Sequence, residues 1–221
     1  MMNNLFIMFD PTTNFMSLNW MSLFLPLIFI KKCYFNSQNR ISHIMENINF
    51  LILKDLKMNL KKKHYKIMMM LIIMFNMIWM MNMLSLLPFI FTPTSHMSLT
   101  LILSLPLWIS LTSKMLFMNT SQFFCHLVPL STPLMLTPFM VIIETISSVI
   151  RPLTLMIRLT ANMIAGHILM HLLSELLNMN LIFFVPTSLV MNILYVLEMS
   201  VSMIQGYVFT ILMSLYIEET N

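Results

Sequence analysis

Glu144, Arg151 and Arg158 follow one another at intervals of seven in an otherwise apolar stretch. Seven residues turn an α-helix by about 700°, so the three drift by only about 20° per step and share one face. Ionisable groups inside such a segment are expensive and face protein or water. Glu144 and Arg151 also fit a simpler reading, in which that end of the helix reaches an interface. Arg158 is harder to place this way, because Leu155, Met156, Ile157 and Leu159 surround it. Arginine keeps its charge in proteins. Its neighbours three and four residues away are Thr154, Leu155, Ala161 and Asn162, none of them acidic. A salt bridge along its own helix is therefore excluded, and its partner must come from another helix or another chain.

Further along the same helix come Ala161, Ala165 and Gly166, small residues that let another helix approach closely. His167 lies nine residues past Arg158, on the opposite side of the helix, and can take up and release protons near neutral pH. His171 follows one turn later, at a spacing that could bind a metal. The intervening residues lack the glutamate of an H-E-x-x-H site, so no metal is expected, and His171 also fits a hydrogen-bonded structural role. In the last apolar run Glu198, Ser202 and Gln205 share a face at i, i+4, i+7. Glu198, flanked by Val196, Leu197, Met199 and Val201, can relay protons or pair with Arg158.

The elements that position these residues read as helices in lipid. Of 221 residues 58% are hydrophobic and 9% charged, against about 25% charged in a soluble domain. So few charges cannot cover a water-facing surface of this size. The expected fold is an all-α integral membrane protein forming a single membrane domain over 1–221. It has about five membrane-crossing helices and a surface amphipathic helix, and the two carboxy-terminal helices are long and strongly tilted.

The first span covers 13–30 and is short, since about 20 residues are needed. Residues 31–66 carry nine basic and two acidic side chains, a balance of +7. Within them Ile41, Ile44, Met45, Ile48, Leu51, Ile52 and Leu56 recur at helical spacing, the pattern of an amphipathic helix in a membrane surface; a solvated charged loop is the alternative. Spans follow at 67–91 and 97–117. Three prolines between Pro129 and Pro138 mark a break. Residues 134–177 form one long tilted helix or two helices broken near Pro152, and the last long helix covers 181–217.

Met occurs 28 times and Gly twice, a usage that fits the AT-rich genomes of animal mitochondria. No small-residue cleavage site follows the first apolar run, and no Arg- and Ser-rich transit segment is evident, so synthesis inside the organelle is expected. The positive-inside rule then puts 31–66 on the matrix side and the amino terminus in the intermembrane space. Cys33 and Cys125 form no C-x-x-C pair, and no phosphate-binding loop occurs.

Three motifs carry a family resemblance. Phe-Met-Val-Ile-Ile-Glu-Thr-Ile-Ser (139–147) resembles the start of the penultimate helix of subunit a of F-type ATP synthases. Ile-Arg-Leu-Thr-Ala-Asn-Met-Ile-Ala-Gly-His (157–167) is similar to that family's most diagnostic motif, and Leu-Glu-Met-Ser-Val-Ser-Met-Ile-Gln-Gly-Tyr-Val-Phe (197–209) to its last helix. Met-Phe-Asp-Pro (8–11), Leu-Asn-Trp (18–20) and Leu-Pro-Phe-Ile-Phe-Thr-Pro-Thr-Ser-His (87–96) look like the insect mitochondrial version.

The resemblance implies that Arg158 faces a rotating ring of c subunits, whose carboxylate is its missing partner. It implies that His167 and Glu198 line a half-channel from the intermembrane space, that Glu144 and Glu219 belong to the matrix half-channel, and that Asn162 and Gln205 are polar positions near the arginine. Arg151, Glu175 and the lysine-rich 31–66 depart from the family pattern. Expected partners are the c-ring, other membrane and peripheral-stalk subunits and the lipid bilayer, with no nucleic acid and no cofactor. Such a chain passes protons through two half-channels and makes no ATP itself. The rival readings are a proton-coupled transporter, a membrane subunit of a respiratory complex, and a purely structural scaffold.

Overall fold

The computed structural model describes residues 9–12, 17–29, 40–60, 65–87, 90–118, 120, 128, 133–179 and 184–219. These residues are helical or irregular, with no strand among them. A 3-10 turn, Leu18–Phe24, runs into a short helix α1, Leu25–Phe29. Then come α2 (Arg40–Asn59), α3 (Tyr65–Ser85) and, after a 3-10 turn at Pro93–Ser95, α4 (Met97–Met118). Two long helices close the chain, α5 (Thr137–Met179) and α6 (Phe184–Glu219).

Among the described residues four helices are long and apolar enough to cross a bilayer: α3, α4, α5 and α6. Among the described residues the first apolar run is helical over Leu18–Phe29, within the span expected at 13–30. The choice between one helix and two around Pro152 resolves as one: α5 is continuous for 43 residues. Proline costs a helix one backbone bond, and neighbours can re-satisfy the freed carbonyl. Pro106 is carried inside α4 in the same way.

The core is a seam between α3 and α6, flanked by α5 and closed at one end by α2. Phe75 and Leu56 are fully buried in it, with Phe209, Met213, Leu155 and Leu159 around them. Phe75 stacks on Trp79 at 5.9 Å, and both pack against Gly206 of α6, where an added Cβ would sit 3.3 Å from the Phe75 ring. The outward faces are as apolar as the core: Ile102, Ile193 and Phe117 are largely exposed. A lipid-facing surface has this composition.

Helix α2 differs in one respect from a helix that only floats on a membrane. Its Ile52 and Leu56, and Leu60 just past its end, enter the core, with Met45 and Ile48 packed beside them. Asp55 accepts a 3.0 Å hydrogen bond from Tyr207, and Asn59 donates one of 3.2 Å to Ser214, both partners on α6. Ile44, Phe50, Leu51 and Met58 stay exposed on the neighbouring face. The apolar stripe is thus split. Residues four apart dock on α3 and α6, and those displaced by one position around the helix are left for lipid.

Candidate functional site

Helix α5 carries Glu144, Arg151, Arg158, Asn162, His167, His171 and Glu175. Helix α6 carries Glu198, Gln205 and Glu219, although the Glu219 side chain lies outside the described residues. One face of α5 is buried against the core through Leu155, Met156, Leu159 and Met163. Arg158 is on the other face, exposed, beside exposed Ile157, Leu153, Ala161 and Ala165. Among the described residues it has no ion-pair or hydrogen-bond partner, and Glu198 does not reach it. A fixed positive charge therefore sits on an apolar outer surface.

Two polar clusters lie on either side of it along the helix. Towards the carboxy terminus, Asn162 donates a 3.2 Å hydrogen bond to the Gln205 side chain and ties α5 to α6. About one turn further, Glu198 of α6 is 8% exposed and its carboxyl group lies against Gly166. A Cβ at position 166 would overlap that carboxyl group. The glycine thus opens space for a side chain, where a close approach of two helix backbones was the simpler sequence reading. Ser202, one turn from Glu198, donates to the Met199 carbonyl at 2.7 Å and to the Met83 sulfur at 3.0 Å. His167 packs edge-on to Phe9, with ring centres 6.3 Å apart, and its Nε2 is buried with no protein partner among the described residues. His171 is buried and meets Glu175, one turn on, at 3.7 Å.

Towards the amino terminus the arrangement is different. Arg151 reaches Glu144 at 3.9 Å, and its guanidinium lies 5.4 Å from the centre of the Tyr216 ring. Both charged groups are about two-fifths exposed. At 1.5 Å per residue, Glu144 is about 21 Å from Arg158 along the helix, and Gly166 about 12 Å on the other side. Sequence spacing foresaw the shared face of Glu144 and Arg151. It carried no signal for Tyr216, which comes from the far end of α6, whereas the contact of His171 with Glu175 is the four-residue spacing of one helix face.

Residues 14–218 match the family model described as ATP synthase A chain. The chain belongs to that family. It is 46% identical to the ATP synthase subunit a of Aedes aegypti, with the whole of both chains covered. It is 44% identical to that of Drosophila melanogaster over both full lengths, and 43% to that of Apis mellifera ligustica over all of this chain and 98% of the relative. The family expected from the three motifs is the family found. As the proton-translocating subunit of an ATP synthase, the chain is a multi-pass protein of the mitochondrial inner membrane and works with the other subunits of that complex. Family membership sets aside the transporter, respiratory-subunit and scaffold alternatives.

Proposed function

We propose that Arg158 faces the ring of c subunits and that the two polar clusters flanking it are the ends of two proton half-channels. The main support is the exposed guanidinium on the apolar face of α5, without a partner among the described residues and between two sets of polar groups. A permanent charge on a lipid-facing surface is expensive unless a counter-ion meets it there. A ring carboxylate passing that face supplies one. On the Glu198 side, a proton passes His167 and Glu198 to the ring and neutralises a carboxylate. The neutral acid then turns into lipid at far lower cost than its ion. On the Glu144 side, with Glu219 at the end of α6, the proton leaves to the matrix. Asn162 and Gln205, bonded to each other beside the arginine, hold α5 and α6 in register there. Arg158 attracts each ionised carboxylate and repels protons that would cross directly. Each charge crossing gains about 2.3 kcal/mol per 100 mV.

Glu198→Gln keeps the shape and removes the exchangeable proton. Proton-driven ATP synthesis in reconstituted vesicles is expected to drop about a hundredfold, the usual scale for a positioned proton-transfer group, while assembly with the c-ring, read by native mass, is retained. Unchanged flux would remove Glu198 from the path.

The orientation follows from charge. Lys54 and Lys57 are exposed on α2 and belong to the basic segment 31–66, which we assign to the matrix side, with the amino terminus in the intermembrane space. In sealed mitochondria whose outer membrane has been removed, an impermeant amine reagent is expected to spare Lys57, and to label it once the inner membrane is opened. Labelling in the sealed state would reverse the orientation.

A further inference from the structure

The 3-10 turn Pro93–Ser95 and the first residue after it, His96, are not needed by the mechanism above, yet they form a built site. A cavity of about 220 Å3 is lined by Phe9, Ser95, His96 and Ile164. Ile164 lies on α5 one turn before His167, and Phe9 packs its ring on His167. His96 and His167 thus border the same region from two different elements. The His96 ring packs against Trp20 and Phe91, each 5.3 Å away centre to centre, and those two rings meet each other at 5.6 Å. That leaves its Nε2 buried without a protein partner among the described residues, as is the Nε2 of His167. A buried imidazole nitrogen left unpaired costs about 1–3 kcal/mol. A cavity of this size holds several waters at roughly 30 Å3 each, and waters would satisfy both rings.

We propose that His96 is a proton-carrying residue of the intermembrane-space half-channel, upstream of His167 and joined to it by water in this cavity. Its neutral ring accepts a proton from outer water and gives one up to the water inside, ending neutral, and the proton passes on to His167. The three-ring cluster with Trp20 and Phe91 holds the ring in place. Other titratable groups near this path, among the described residues, are few. Asp10, beside Phe9, is exposed and accepts a hydrogen bond from the Thr12 N–H. Helix α5 offers His167 and, one turn further, His171 with Glu175 beside it, and α6 offers Glu198 behind Gly166. Helix α3 offers none at this end. Among the described residues that line the cavity none is a carboxylate, and the imidazole of His96 is the titratable group there.

This rests on the half-channel reading of His167 and Glu198, and the test separates the two. His96→Gln and His96→Ala are assembled into the whole complex and reconstituted, and proton-driven ATP synthesis is measured against the pH of the inlet side. Both variants are expected to slow synthesis about tenfold, with the loss deepening as protons become scarce at higher inlet pH. Free imidazole in the inlet buffer is expected to restore His96→Ala and not His96→Gln, whose side chain fills the space. Wild-type rates and pH profile in both variants, or a loss that imidazole leaves unchanged in His96→Ala, would overturn the role. Should His96→Ala fail to assemble, Ile164→Phe, which fills the cavity and keeps His96, decides the matter: slowed flux supports the water path, and normal flux refutes it. Glu198→Gln in the same vesicles is the control. If it too runs at full rate, the half-channel reading is what fails; if it alone is slow, only the role of His96 falls.

Discussion

Arg158→Gln is expected to abolish proton-driven ATP synthesis, by at least about a hundredfold, in a complex that still assembles. The side chain has no partner of its own to lose among the described residues and lies on an exposed face, so the substitution leaves the fold of this chain nearly untouched. Its cost falls on the passing ring instead. A carboxylate that ionises against this surface without the guanidinium is an unpaired charge in a low-dielectric setting. Removing one member of such a pair costs about 3–5 kcal/mol, which is a factor of roughly 10² to 5 × 10³ in rate. The same change removes the positive barrier between the two polar clusters, so passive proton leak through the membrane sector should rise. Arg158→Lys is expected to fall between, because it keeps a charge but loses the planar fork that grips a carboxylate at two points. Proton-driven synthesis and passive leak are measured on the same vesicles. Synthesis retained in Arg158→Gln would refute the ring-facing role outright.

Gly166→Ala is expected to cut synthesis about tenfold while leaving the assembled complex as stable as before. The two effects separate because of what the new methyl group meets. It would overlap the Glu198 carboxyl group, the far end of a flexible side chain, and not a backbone. That end can swing aside at little structural cost. Alanine is also about 1 kcal/mol better than glycine inside a helix, which offsets the crowding. Stability, read as the thermal midpoint of the purified complex, should therefore hold or rise slightly. The flux should fall, since the carboxyl group has been moved from the place where it exchanges protons, and a displacement of about 1 Å can cost as much as a hundredfold. Adding Glu198→Asp to Gly166→Ala shortens the acid by one methylene and should recover part of the rate. Normal flux in the single variant, or a complex that no longer assembles, would show that Gly166 is there for helix packing alone.

Much of the site is legible in the order of its residues. The shared face of Glu144 and Arg151 follows from a seven-residue interval, and they do meet. The lack of an acidic neighbour for Arg158 follows from reading three and four residues either way, and no intrachain partner appears among the described residues. Other features are less legible. The first apolar run, expected as a span over 13–30, opens as a 3-10 turn, Leu18–Phe24, before its α-helix, which periodicity does not show. The helix expected on the membrane surface docks part of its apolar stripe on protein, because the stripe is wide enough to offer two faces and α3 and α6 occupy one of them.

Composition and a period of 3.6 residues suffice to make this chain helical, to put it in lipid and to say which side chains share a face of one helix. These are local matters. Which faces meet is a matter of how the helices pack: Glu198 under Gly166, Asn162 on Gln205, Tyr216 beside Arg151, His96 on the cavity that adjoins His167. In water the apolar side of a helix announces which way is in. In lipid it does not, because the tails outside are as apolar as the leucines within. Buried Leu155 and exposed Leu153 are the same residue two positions apart, and nothing but the packing of neighbouring helices tells them from one another.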